Sequence, residues 1–179
     1  DFVLPDYVVQ HNDRPNVLSW CNKWGIDITN IEIFYDVKED RIVFPIVHDG
    51  KMVDATGRSL GKKLPKWKRY GKNNLPFVHG CGRVAVVVED CVSAIAVGSE
   101  VYAGVAVLGT SLAESHKRYL SQFSTAIIAL DPDAVPKTLA FSKELRGYVN
   151  DVKVLRVTDD LKYRRAEDFD KLNEITPKE

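Results

Sequence analysis

Two carboxylates stand one residue apart at the end of a strongly apolar stretch. Residues 126–130 predict a strand that is buried on both faces, and Asp131-Pro132-Asp133 follows directly. Side chains at positions i and i+2 of an extended segment point the same way, so Asp131 and Asp133 would face one spot and repel each other. A bound cation would relieve that repulsion. The alternative is an Asp-Pro turn in which Asp133 caps a helix that begins near Pro136.

The second half of the chain alternates between strand-like and helix-like segments. The apolar segments "RVAVVVED", "YAGVAVLGT", "TAIIALDPD" and "VKVLRVTDD" are separated by segments of helical character. This alternation predicts an α/β fold with a mostly parallel sheet and helices on both faces. One of the helices is predicted to begin after Ser111, because Ser111 and Glu114 have the spacing of a capping box.

Acidic residues follow three of the predicted strands. They are Glu89 and Asp90, then Asp131 and Asp133, then Asp159 and Asp160. The carboxyl ends of parallel strands lie at one edge of the sheet, where ligand sites form, and carboxylate oxygens suit a hard divalent ion. The sequence therefore predicts a Mg²⁺ or Mn²⁺ site at Glu89, Asp131 and Asp133, with Asp90 and Asp159 as further ligands. Capping of the following segment is an alternative role for the pair at 159–160.

A local excess of basic residues precedes this half. Residues 51–72 contain eight Lys and Arg residues and one acid, Asp54, and Trp67 and Tyr70 are interleaved with them. Basic side chains can neutralise phosphates and aromatic rings can stack on unpaired bases, so the segment predicts a surface for single-stranded nucleic acid. The alternative is a solvated charged loop. A metal site together with a basic surface is what a phosphoryl-transfer enzyme acting on nucleic acid requires.

Composition narrows the remaining possibilities. Lys+Arg and Asp+Glu balance at 25 each, so global charge identifies no partner. The three cysteines show no C-x-x-C spacing, which argues against a zinc ribbon or disulfide framework and favours a reducing compartment. No apolar run approaches membrane-spanning length, and the first residues do not read as a signal peptide. We therefore expect a cytoplasmic protein with no membrane partner.

The acidic segments resemble the TOPRIM domain, which bacterial-type primases, phage primase–helicases, topoisomerases and some nucleases share. The matching segments are "VVVED", with Glu89, and "ALDPD", with Asp131 and Asp133. Upstream, "RIVFPI", "GR", "PKW" and "FVHG" resemble the segment that precedes TOPRIM in bacterial-type primases, and "DDLKYRRAEDF" resembles the closing segment of phage members. The resemblance implies a smaller mixed α+β, basic, nucleic-acid-binding subdomain over residues 1–83 and a TOPRIM domain over residues 84–179.

The same resemblance implies the catalytic core of a DNA primase, possessing RNA polymerase activity. Such a core makes short primers on a single-stranded DNA template from nucleoside triphosphates, with Mg²⁺ or Mn²⁺, and a replicative helicase is an expected partner. A phage-encoded protein acting in the host cytoplasm would fit this pattern. Glu89, Asp131 and Asp133 would be catalytic. The residues expected to contact nucleic acid or nucleotide are Arg41, Arg58, Lys66, Trp67, Lys68, His79 and Lys137.

Two other functions stay open at this point. A TOPRIM nuclease would use the same acids to cleave nucleic acid, and Glu89 would then be a candidate general base. A catalytically weakened TOPRIM module of a replicative helicase would bind DNA without making primers. Asp90, Ser93 and His79 favour this module, because the family has Gly, Asp and Lys at these positions.

Overall fold

The chain divides into two units, which a computed structural model describes over residues 1–178. The units are Asp1–Leu75 and Pro76–Glu179. The sequence predicts the boundary between the two subdomains at residues 83 and 84. The structure places this boundary after residue 75, because the strand Phe77–His79 pairs with the sheet of the second unit.

An antiparallel sheet of five strands in sequence order builds the first unit. A helix, α1 (Pro15–Lys23), follows the first strand, and Gly25 ends it with a φ of +67°, a conformation that glycine adopts without strain. The strands are β1 (Val8–Gln10), β2 (Phe34–Asp36), β3 (Arg41–His48), β4 (Lys51–Ser59) and β5 (Trp67–Arg69).

Both faces of this first sheet are covered. One face carries a cluster formed by Val8, Phe34, Val43 and Ala55, against which Tyr70 packs. Gly57 leaves room for the Tyr70 ring, since a Cβ at position 57 would lie 2.8 Å from it. On the other face, Phe44 contacts aromatic rings at centroid distances of 6.0 Å (Trp20) and 6.1 Å (Trp67). The short β5 therefore joins the core through its aromatic residue.

The strands of the second unit are β6 (Phe77–His79), β7 (Val84–Val88), β8 (Tyr102–Ala106), β9 (Thr125–Ile128) and β10 (Asp151–Val154), and they form one sheet in the order β10-β9-β7-β8-β6. Strands β7 to β10 are parallel, and β6 is antiparallel at one edge. This confirms the predicted mostly parallel sheet. The helical elements of this unit are α2 (Cys91–Val97), α3 (Glu114–Leu120), α4 (Val135–Leu145), a 3₁₀ turn (Leu161–Tyr163) and α5 (Ala166–Ile175).

Helices cover both faces of the second sheet, as predicted. Side chains alternate between the two faces along β7, β8 and β9, so Ala85, Val105 and Ile128 lie on one face. There they form a buried cluster with Leu120 of α3 and Phe141 of α4. Helix α2 packs on the other face, against β8. Gly104 makes that approach possible, because a Cβ there would lie 2.2 Å from the carbonyl oxygen of Ala94.

The predicted start of α3 is wrong. The helix begins at Glu114 and its N-cap is Ala113, so Ser111 does not cap it. His116 takes part in the cap instead, because its Nδ1 accepts a hydrogen bond of 3.0 Å from the Ala113 N–H. The imidazole is buried by this arrangement, with 4% of its surface exposed.

Within residues 1–178, no helix has the length and apolar character needed to cross a membrane.

Candidate metal and nucleic-acid sites

The structure brings Glu89 and Asp131 together at the carboxyl edge of the second sheet. Glu89 directly follows β7, and Asp131 lies shortly after β9. The two strands pair in parallel with Val87 opposite Ile128, so their ends reach the same edge. The Asp131 N–H donates a hydrogen bond of 3.0 Å to Glu89 Oε2. The acidic side chains of two neighbouring strands thus share one site.

Two lysines lie against these acids. Lys137, in the first turn of α4, donates from Nζ to Glu89 Oε1 at 2.7 Å and to the Gly109 carbonyl oxygen at 3.0 Å. Lys162, in the 3₁₀ turn, lies 3.3 Å from Asp160 Oδ2 and 3.5 Å from Asp90 Oδ2. The group formed by Glu89, Asp90, Asp131 and Asp160 is called the acid cluster below. It carries four carboxyl groups and faces two ammonium groups.

The acid cluster shifts the pKa values of its members in opposite directions. Burial, together with the neighbouring Glu89 and Asp160, raises the pKa of Asp131 to about 8. Burial also acts to raise the pKa of Glu89, but hydrogen bonds from Lys137 and Asp131 outweigh it and the net shift is downward. Asp131 is therefore the protonated member of the pair at neutral pH in the absence of a further cation.

The other predicted acidic ligands take no part in the contact between Glu89 and Asp131. Asp133 is exposed, and it does not cap α4, whose N-cap is Ala134 without a side-chain hydrogen bond. Asp90 is the N-cap of α2, where its Oδ1 accepts a hydrogen bond of 2.9 Å from the Ser93 N–H. Asp159 pairs with Arg165 at 2.7 Å.

The sequence predicted Asp159 as the metal ligand that follows β10, whereas Asp160 is the residue that interacts with Asp131. The buried carboxylate of Asp168, in α5, holds the loop that carries them. It accepts hydrogen bonds from the Thr158 N–H at 2.9 Å, the Thr158 hydroxyl at 3.0 Å and the Asp159 N–H at 3.3 Å. Two adjacent Asp residues look alike in a sequence, and only the loop conformation determines which one turns toward the sheet.

The donor set fits a divalent cation in chemical type and in charge. Its oxygen atoms are those that Mg²⁺ and Mn²⁺ prefer, and a bound cation would offset both the burial of Asp131 and the negative charge of Glu89 and Asp160 beside it, which together raise its pKa. The side chains are nevertheless not drawn together around one point. Among residues 1–178, no group of three or more His, Cys, Asp or Glu side chains is arranged to hold a metal ion.

The shifted carboxyl of Asp131 predicts a pH dependence of stability without metal. Its folded-state pKa lies above its unfolded value, so the folded chain binds more protons and the free energy of unfolding falls as pH rises from about 4 to 8. We expect Asp131→Asn to remove a fall on the order of 2 kcal/mol between about pH 4 and 8, a figure reduced from the full linkage value because water and lysines screen the group. Urea unfolding in EDTA measures it.

The exposed Asp133 supplies the control for this measurement. Asp133→Asn should keep the pH dependence of the parent chain, because that side chain is in solvent. Equal pH profiles for Asp131→Asn and the parent chain would show that Asp131 ionises normally.

The basic segment 51–72 runs from the start of β4 through β5 and ends three residues after it. Lys66 is exposed, and Arg58 is partly buried with its guanidinium bonded to the Ser59 carbonyl. Lys68 forms an ion pair of 2.8 Å with Glu39. Trp67 is half-buried and contacts Phe44, so it combines a packing role with an accessible part of its ring.

Two predicted contact residues lie in buried surroundings. The Arg41 side chain is fully buried, and it donates to Glu39 Oε1 at 2.9 Å and to the carbonyl oxygens of Gly57 and Lys66 at 3.2 and 3.4 Å. His79, in β6, is half-buried, and burial lowers its pKa, so it is neutral at pH 7. Neither presents a charge to solvent in this structure.

Solved structures share this fold. The DnaG primase catalytic domain bound to single-stranded DNA has a TM-score of 0.73 at 16% identity, covering 94% of this chain and 75% of that chain. The E. coli primase catalytic core has a TM-score of 0.70 at 16% identity, with coverages of 89% and 73%. The primase fragment of the bacteriophage T7 primase–helicase has a TM-score of 0.56 at 18% identity, with coverages of 86% and 67%.

No protein-family model and no curated protein matches the sequence. At identities of 16–18% the structural likeness establishes the fold, which is that of the TOPRIM-containing primase catalytic core. The resemblance noted in the sequence is confirmed at that level.

Proposed function

We propose that this chain is the catalytic core of a DNA primase, which makes short RNA primers on single-stranded DNA from nucleoside triphosphates. The observation that carries the proposal is the contact between Glu89 and Asp131 at the ends of adjacent parallel strands, on the fold of the primase core. The likeness to a catalytic domain bound to single-stranded DNA supports the template. The likeness to a phage primase–helicase supports a replicative helicase as partner.

Glu89, Asp131 and Asp133 would hold Mg²⁺ or Mn²⁺, with Asp160 beside them. The metal would lower the pKa of a primer 3′-hydroxyl and stabilise charge on the departing pyrophosphate. With its pKa raised to about 8 by burial and by its acidic neighbours, the Asp131 carboxyl would bind a cation in competition with a proton at neutral pH. Lys137 lies in the first turn of α4, where its ammonium could bind a triphosphate oxygen once it leaves Glu89.

The exposed part of the basic segment would bind the template. Lys66 lies in solvent, and Arg58 and Trp67 are partly accessible on the adjacent strands. Arg41 would contribute indirectly, because its bonds to the Gly57 and Lys66 carbonyls position the backbone that carries the accessible side chains.

Replacing Arg58 and Lys66 together by Ala should make DNA binding less sensitive to salt. For single strands the slope of log K against log salt is about −0.7 per neutralised phosphate, so the slope should flatten by roughly 1.4 if each side chain neutralises one. Fluorescence anisotropy with a labelled oligonucleotide at several salt concentrations gives the slope. The matched control replaces Lys143 and Arg146, which are exposed on α4 and just after it, and should leave the slope unchanged. An equal slope in both double variants would exclude a template role for Arg58 and Lys66.

Product analysis distinguishes the proposed activity from its alternatives. With Mn²⁺, a single-stranded template and labelled ribonucleotides, a primase core yields short RNA. With Mn²⁺ and plasmid DNA in a second assay, a TOPRIM nuclease yields nicked plasmid. A DNA-binding module without catalysis yields neither. The hydrogen bonds of Lys137 to Glu89, and of Ser93 to Asp90, are the observations that favour such a module as the second candidate.

A further inference from the structure

We propose that the Lys137 ammonium is a resident cation of the acid cluster, which a divalent ion must displace from Glu89 before that carboxylate can bind metal. This inference rests on the proposed function, because it concerns the same acids. It assigns to Lys137 a role in metal loading that is separate from any contact with nucleotide.

Both oxygen atoms of Glu89 already have partners. Oε1 accepts a hydrogen bond of 2.7 Å from Lys137 Nζ, and Oε2 accepts one of 3.0 Å from the Asp131 N–H. The backbone N–H is fixed by the loop after β9, whereas the ammonium stands at the end of a flexible side chain. Lys137 is therefore the partner that an incoming ion would replace.

The Lys137 ammonium is surrounded by oxygen atoms of the kind that bind cations. Its two acceptors are a carboxylate oxygen from the end of β7 and the Gly109 carbonyl oxygen from the loop after β8. The ammonium also lies 5.7 Å from the centroid of the Phe141 ring, whose face attracts cations. Only 20% of the lysine side chain is exposed, so this is not a freely solvated surface lysine.

Displacement would prepare the next step of the proposed reaction. The lysine backbone stays in the first turn of α4, beside the acid cluster, after its ammonium has left Glu89. A displaced ammonium can then bind a phosphate oxygen of the incoming nucleotide. Metal binding and triphosphate binding would thus be coupled through the Lys137 side chain. In the metal-free chain, Lys137 occupies the Glu89 oxygen that the metal needs, and Glu89 holds the ammonium that the triphosphate needs.

The test is calorimetric titration of Mn²⁺ without nucleotide into the parent chain and three variants. Removing a unit charge about 5 Å from a divalent ion in water should strengthen Mn²⁺ binding by roughly tenfold in Lys137→Gln. Lys143→Gln is the matched control, because it removes an exposed charge from the same helix. Lys137→Arg keeps the charge and should bind Mn²⁺ no more tightly than the parent chain. Lys137→Met replaces Lys137→Gln if the amide variant does not fold.

The outcomes separate this inference from the proposed metal site. If Lys137→Gln binds Mn²⁺ no more tightly than Lys143→Gln, the inference is wrong. Binding that appears only once Lys137 is replaced would support it strongly. A double variant, Asp131→Asn with Asp133→Asn, tests the site itself. If that variant binds Mn²⁺ as the parent chain does, the metal is elsewhere and both proposals fail. If it does not, and Lys137→Gln has no effect, only the inference fails.

Discussion

A chain in which Asp131 and Asp133 are both replaced by Asn is expected to lose Mn²⁺ binding and metal-dependent primer synthesis while keeping its fold. Asn keeps the volume of each side chain but not the negative charge that a hard cation requires. Substitution of groups that only support metal ligands lowers affinity or activity by about 10–100-fold, so loss of two ligands should exceed roughly a hundredfold. Asp133 is exposed and Asp131 is largely protonated without metal, so neither change should unfold the sheet.

Calorimetry and thermal unfolding measure this result together. Mn²⁺ at a hundred times its Kd should raise the free energy of unfolding of the parent chain by about 2.7 kcal/mol, and this gain should vanish in the double variant. The control replaces Asp170 by Asn and Glu174 by Gln, two exposed acids on α5, and should keep the full response. Identical Mn²⁺ titrations for the parent chain and the double variant would place the metal elsewhere.

Arg41→Ala is expected to destabilise the first unit strongly rather than to weaken DNA binding selectively. The guanidinium is fully buried among Glu39 and two backbone carbonyl groups, so its removal opens a cavity and leaves those acceptors unpaired. Removing one partner of a buried charged network costs about 3–5 kcal/mol of folding free energy. The lower end applies here, because Glu39 retains its ion pair with Lys68 and is partly exposed.

Urea unfolding monitored by tryptophan fluorescence reports on this unit, which contains all three tryptophans. Lys66→Ala is the matched control, because it removes an exposed basic residue of the same unit and should change the free energy of unfolding by less than about 0.5 kcal/mol. If Arg41→Ala folds as stably as the parent chain and instead flattens the salt slope of DNA binding by about 0.7, Arg41 is a phosphate contact, as the sequence predicted.

The edge of the sheet at which the acids meet could be predicted from the sequence. Apolar runs that end in acids specify strands, and parallel strands bring their carboxyl ends together, so Glu89 and Asp131 had to be neighbours once β7 and β9 paired. The early division between the units was harder to predict, because "FVHG" is short and only its pairing with β8 assigns it to the second sheet.

The partners of individual charges could not be predicted, because they depend on side-chain directions across the fold. Lys137 and Glu89 are 48 positions apart, and nothing in either segment indicates their contact. Arg41 belongs to a residue type that is usually exposed, and its burial depends on acceptors contributed by β4 and the segment before β5. His116 is likewise buried, at the start of α3, where its Nδ1 accepts a hydrogen bond from the Ala113 N–H.

A crystal soaked in Mn²⁺, with diffraction recorded at a wavelength where manganese scatters anomalously, locates the bound metal ion and the position of Lys137 in one experiment. We expect an anomalous peak bound by Glu89 and Asp131, with Lys137 Nζ moved out of hydrogen-bonding distance of Glu89 Oε1. Manganese bound only at other places, with Lys137 still donating to Glu89, would contradict the claim that the acids at these strand ends form the metal site of a primer-synthesising enzyme.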